Sequence, residues 1–111
     1  MPATAFVLGT ARSGTTAMAD LLNAHQRVCI GIERYKYLVN RTKALDPALF
    51  EEERFFAIDP SETNILPRPG GLAEAYATMR AKWPGALVVG DKLGARALPV
   101  VARDMPRARV V

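Results

Sequence analysis

The chain has 111 residues, half of them hydrophobic and 23% charged, with 15 Lys and Arg against 11 Asp and Glu for a net charge of +4. That length holds one domain with a modest core, and the composition is that of a soluble globular protein rather than a disordered one. The basic residues form no continuous block and no apolar run approaches the ~18 residues of a membrane span, so neither nucleic acid nor a membrane is expected as a partner.

Thr4 to Leu8 is nearly continuous in apolar character, the pattern of a strand buried on both faces of a parallel sheet. No basic residue precedes it, which argues against a signal peptide. Gly9 to Gly14 forms a loop, and a helix follows from Thr15 to Ala24 with Met18, Leu21 and Leu22 on one face. The stretch "RVCIGIE" reads as a short strand ending near Gly31, which leaves Glu33 just beyond it, and "RYKYLVNR" reads as a second helix. The single cysteine, Cys29, excludes an internal disulfide and a cysteine-built metal site and fits a reducing, cytoplasmic compartment.

In "DPALFEEERFFAI" Asp46 serves as N-cap and Pro47 sits in the first turn of one further helix. "DPSETNILPRPGG" is a loop of turn formers. "LAEAYATMRAKW" is a helix that Pro84 and Gly85 end, and "ALVVGDK" is a second buried strand delivering Asp91 and Lys92 at its carboxyl end. Pro99 opens a short helix, "LPVVARDM", and "RARVV" is a last, buried strand at which the sequence stops, as if it were the front part of a longer domain. Strands alternating with helices predict an α/β fold with a mainly parallel sheet flanked by helices.

In such sheets ligands sit at the carboxyl ends of the strands, where helix amino ends also point. The loop Gly9-Thr10-Ala11-Arg12-Ser13-Gly14-Thr15-Thr16 is placed there. Its glycines permit tight turns and its N–H groups converge on an anion, while Ser13, Thr15 and Thr16 add hydroxyl donors and Arg12 a permanent charge. The glycine spacing matches the ATP-binding loop G-x-x-x-x-G-K-[ST], but Thr15 stands where that loop has lysine. The loop therefore favours a phosphate-like group over ATP with Mg²⁺, and the plainer alternative is a glycine turn that merely packs a helix on a strand.

Together "LGTARSGTT", "LLNAH", "GIERYKYL", "VVGDK" and "MPRARVV" resemble, in order along almost the whole chain, the PAPS-dependent sulfotransferases, and most nearly the bacterial type related to tyrosylprotein sulfotransferases. PAPS is 3′-phosphoadenosine 5′-phosphosulfate, the sulfuryl donor. The resemblance implies a P-loop-type α/β fold, with residues 1–111 the amino-terminal portion of a single sulfotransferase domain. It implies transfer of a sulfuryl group from PAPS to a hydroxyl of a small molecule, carbohydrate or peptide, releasing adenosine 3′,5′-bisphosphate without a metal. Arg12, Ser13, Gly14, Thr15 and Thr16 would hold the 5′-phosphosulfate, Lys92 would stabilise the transferring group, and Glu33 would be the general base.

The family pattern around that base is G-E-E-T, whereas this chain reads Gly31-Ile32-Glu33-Arg34, so the plain alternative for Glu33 is a surface pair with Arg34 or Lys36. Asp91 either orients Lys92 or caps the turn. The family's 3′-phosphate element follows the strand that "RARVV" begins, so Arg103, which precedes it, is a solvated helix residue. His25 suits a helix carboxyl end, Cys29 and Trp83 suit the core, and Tyr35, Tyr37, Phe55 and Phe56 suit the core better than an acceptor pocket. A kinase-like phosphotransferase and a non-catalytic nucleotide-binding module are the remaining readings, and the sequence leaves the oligomeric state open.

Overall fold

The computed structural model describes residues 2–10, 14–63 and 71–111. Four strands, β1 (Ala3–Gly9), β2 (Val28–Ile32), β3 (Val88–Gly94) and β4 (Arg109–Val110), form one sheet in the order β2-β3-β1-β4. All the pairings are parallel, so the fold is α/β with a parallel sheet flanked by helices. The helices are α1 (Thr15–Asn23), α2 (Lys36–Thr42), α3 (Glu52–Phe56), α4 (Gly71–Lys82) and α5 (Leu98–Asp104). No helix among the described residues is long and apolar enough to cross a membrane.

Alternation along the strands sends side chains to two cores. Ala5, Val7, Ile30 and Ile32 meet Ala19 of α1 on one face. Phe6, Cys29, Val89 and Leu93 meet α2, α3, α4 and α5 on the other, where Tyr35, Phe50, Phe55 and Trp83 make an aromatic cluster. Trp83, Tyr35, Phe55 and Cys29 thus lie in the core, while Tyr37 is exposed and Phe56 packs at its margin. Burial of each large side chain contributes about 1.5–3 kcal/mol.

Three elements differ from the sequence expectation. Helix α1 buries Ala19 and turns Leu22 inward, while Met18 and Leu21 face outward. The small Ala19 lets the helix axis approach the sheet, and packing distance overrides the size of the apolar residues. The expected single helix after Asp46 is two pieces: a 3₁₀ turn at Pro47–Phe50, with Asp46 accepting from the Ala48 N–H, and α3. Glu51 between them is extended, at φ −73° and ψ 144°. On one continuous helix Phe50 and Phe55 would point about 140° apart; the break lets both enter the same core. Strand β4 is an exposed edge, with Val110 and Val111 half accessible, because only β1 covers it.

The opposite edge is closed by side chains. Asn23, the last residue of α1, donates to the Ile30 carbonyl (2.7 Å) and accepts from the Ile30 N–H (2.6 Å), mimicking a further strand. The Tyr76 hydroxyl accepts from the Ile32 N–H. Lys82 donates to the carbonyls of Asn23 and His25, closing the carboxyl end of α1. Asn23→Ala leaves two buried backbone groups of β2 without these partners, and should lower stability by about 1–3 kcal/mol. An unchanged urea midpoint would show that the edge does not depend on this residue.

Candidate functional site

The strands end together. Gly9 of β1 lies opposite Gly94 of β3, and Ile32, the last residue of β2, lies opposite Lys92. This carboxyl edge receives Thr10, which opens the β1–α1 turn, and Gly14, which caps α1 at φ 86° with no side-chain hydrogen bond to the helix start. A side chain at Gly14 would be strained by that φ, and the first N–H groups of a helix have no partner within it. Thr15 begins α1, and Thr16 faces a cavity of about 560 Å³ between α1 and α4. Arg12 and Ser13 lie outside the described residues.

Glu33 and Lys92 are brought together. The Lys92 ammonium donates to Glu33 Oε1 at 2.8 Å, and Lys36 stands 3.5 Å from Oε2. The two main partners are shielded but reachable, with side-chain exposures of 12% for Lys92 and 16% for Glu33. Glu33 is held in the left-handed region, at φ 53°. Its N–H donates to the Lys92 carbonyl at 3.0 Å and its own carbonyl accepts from the Thr63 hydroxyl at 2.9 Å. The backbone of the carboxylate is therefore fixed at both ends, one of them on the strand that carries its cation.

Asp91 explains why the turn adopts this shape. Its carboxylate is fully buried, and Oδ1 accepts from the N–H groups of Arg34 (3.0 Å) and Lys92 (2.9 Å) while Oδ2 accepts from that of Tyr35 (2.8 Å). Gly31 lies opposite it on β2, and a Cβ there would stand 2.9 Å from Oδ1 and 2.8 Å from the Phe55 ring. Asp91 closes the turn, and its contact with Lys92 is to the backbone N–H rather than to the ammonium. Burial pushes its carboxyl up to about 7, against the backbone N–H donors and the Arg34 charge that favour the ionised form.

Arg34 does not meet Glu33. Its guanidinium turns into the core, where it donates to Glu62 (3.0 Å) and to the carbonyls of Phe55 (2.7 Å) and Ala57 (3.1 Å) and lies 4.4 Å from the Tyr35 ring centre. Glu62 also binds Arg54, and these two hydrogen-bonded arginines, Arg54 first, hold its carboxyl below the ordinary range despite burial. The Glu62 carbonyl accepts from the N–H groups of Tyr37 and Leu38 at the start of α2. Arg34, Glu62 and Thr63 thus support the site without having been singled out as doing so. Apart from Arg54, eight residues before Glu62, their partners lie about 20–30 residues away in sequence, and no local spacing signals them. Arg103 is exposed on α5 and pairs with Asp104, and the exposed His25 ring accepts from the Arg27 N–H.

On the helical side of the same edge a second cavity of about 560 Å³ opens among α2, the end of β3 and the start of α5, with Lys36, Lys43 and Arg96 on its walls. No protein-family model, curated protein or solved structure matches the chain.

The buried carboxyl gives a pH signature. Asp91 ionises near 4 in an unfolded chain and near 7 in the fold, so between these values the folded state holds the extra proton. Stability should fall as pH rises from about 4 to about 7 and level off above. The lowered carboxyls of Glu62 and Asp104 act in the opposite sense but only below the ordinary carboxylate range. Asp91→Asn should cost about 1–3 kcal/mol at pH 5, because its amide faces an N–H donor, and should abolish the slope. Urea midpoints at pH 5 and 7.5 check both, and a wild-type midpoint that rises over this interval would contradict the assignment.

Proposed function

We propose that the chain carries the phosphosulfate-handling half of a PAPS-dependent sulfotransferase, moving a sulfuryl group to an acceptor hydroxyl in the cytoplasm. The observation that carries this reading is the 2.8 Å Glu33–Lys92 pair at the carboxyl edge, beside the turn that leads into α1. Fit to the donor is supported by the left-handed Gly14 at the start of α1 and by the Lys92 ammonium on the same edge. Transfer of this kind is served mainly by positioning and by stabilising charge on oxygen, and a sulfuryl group carries less charge than a terminal phosphate, so no divalent ion is required.

Glu33 accepts the proton of the acceptor hydroxyl as that oxygen bonds to sulfur and the bond from sulfur to the 5′-phosphate oxygen breaks. Lys92 is paired with the Glu33 carboxylate beforehand. Once Glu33 is protonated, the ammonium is no longer matched by a carboxylate, and its charge becomes available to the departing phosphate oxygen. Lys36, against the other carboxylate oxygen, contributes to the same polarity. Gly14, Thr15 and Thr16, with Arg12 and Ser13, hold the phosphosulfate in line.

Titration with adenosine 3′,5′-bisphosphate should show binding that ATP with Mg²⁺ does not displace. Metal-dependent ATP binding that bisphosphate fails to displace would select a kinase-like phosphotransferase instead. In a transfer assay Glu33→Gln should lower kcat by about 10²–10⁴-fold, and Lys92→Met by about 10²–10³-fold. Bisphosphate affinity should stay within about threefold for Glu33→Gln, since its carboxylate is assigned to the acceptor. Turnover that survives Glu33→Gln would remove the base assignment.

A further inference from the structure

The cavity beside α2 meets Gly9 and Thr10, where β1 runs into the loop, and its other walls carry residues not assigned to the donor. Its walls carry Lys36, Lys43 and Arg96 together with Asn40, and among the described residues lining it there is no carboxylate. Lys36 is engaged with Glu33, but neither Lys43 nor Arg96 has an ion-pair partner among the described residues. The floor is apolar, formed in part by the buried Val39 and Leu93. Two unmatched cations over an apolar floor suit an organic anion, with its charge on the rim and its body on the floor.

The cavity also leads to the reacting pair. Lys36 belongs to its wall and stands 3.5 Å from the Glu33 carboxylate, whereas Lys92 and the Leu93 of the floor point to opposite faces of the sheet, so Lys36 is the link between cavity and pair. A molecule lying in the cavity with one end at Lys43 and Arg96 can place the other beside Lys36, the residue that contacts the Glu33 carboxylate. Lys43 keeps its own place through its backbone, whose N–H donates to the Val39 carbonyl and whose carbonyl accepts from Arg103. The side chain is left to the solvent side of the cavity.

We propose that this cavity binds a small organic oxyanion, a carboxylate or a sulfate ester, through Lys43 and Arg96, and that this anion is the charged end of the acceptor, a role that rests on the sulfuryl-transfer reading. The probes are 4-hydroxyphenylacetate, 4-hydroxyphenyl sulfate and the uncharged 4-hydroxyphenylacetamide. Each is titrated into the full chain and into the double variant Lys43→Gln/Arg96→Gln, whose exposed positions leave the melting temperature unchanged. At least one charged probe should bind about tenfold or more tightly than the amide, and the double variant should reduce that ratio to about twofold or less. Comparing the two charged probes distinguishes carboxylate from sulfate. Bisphosphate affinity should be the same in both proteins.

Equal binding of charged and neutral probes, or a ratio that survives the double variant, would overturn the site. A parallel loss of bisphosphate affinity would assign the cavity to the donor and overturn it equally. Failure of bisphosphate to bind the wild-type chain, with the charge ratio intact, would instead remove the donor reading and the acceptor role while leaving the oxyanion site standing.

Discussion

The Asp91 carboxylate lies in the core with no access to water and accepts three backbone N–H bonds, from Lys92 on its own strand and from Arg34 and Tyr35 on the turn after β2. Those bonds force the chain to double back at Glu33, in a conformation that costs a residue with a Cβ about 1–3 kcal/mol. An internal hydrogen bond contributes about 0.5–1.5 kcal/mol, so three of them offset the strain. Gly31 leaves the space in which the carboxylate sits, and a methyl group there would fall inside contact distance of it. Register then does the rest. Because Ile32 is paired with Lys92, the residue after Ile32 is delivered beside the Lys92 ammonium.

A second layer supports the first. The Arg34 guanidinium gathers the carbonyls at the end of α3, the Glu62 carboxylate and the Tyr35 ring, and Glu62 in turn holds the start of α2 through its backbone carbonyl. Charge in the interior is costly unless every lone pair and proton is matched, and among the described residues no buried side-chain polar atom is left without a partner. This arrangement fixes α2, and with it Lys36, relative to the sheet. Position of the third charge at the site is thus set by residues that never touch it.

The parts of this structure that could be read from sequence are those written in local pattern. Thr4 to Leu8 and the run before Asp91 are apolar on both faces because a parallel sheet buries both, and the turn chemistry at Gly9 and Pro99 marks where strands stop and helices begin. That Glu33 and Lys92 share the carboxyl edge could be read from each lying near a strand's carboxyl end, but their pairing could not. What escaped is set by packing between distant segments. Nothing in the Arg34 neighbourhood distinguishes a buried guanidinium from a solvated one, since its acceptors are the distant Glu62 carboxylate and backbone carbonyls such as those of residues 55 and 57, which every sequence offers. The outward Met18 and Leu21 and the break at Glu51 likewise reflect how closely a helix approaches the sheet and how two aromatic rings reach one core.

The Glu33–Lys92 pair sits at an exposure that stability alone does not explain. A fully solvated ion pair contributes about 0–1 kcal/mol, and a fully buried one is often no better than an apolar pair of the same volume. This pair occupies the middle ground, shielded enough that the local dielectric strengthens each charge yet not fully buried. Holding it there requires a strained residue, a desolvated carboxylate beneath the turn and a glycine on the neighbouring strand. Each of those features costs folding free energy or narrows the sequences that fit. Their convergence on one carboxylate and one ammonium is intelligible if the pair acts on a ligand, because only there is the polarity they create put to use.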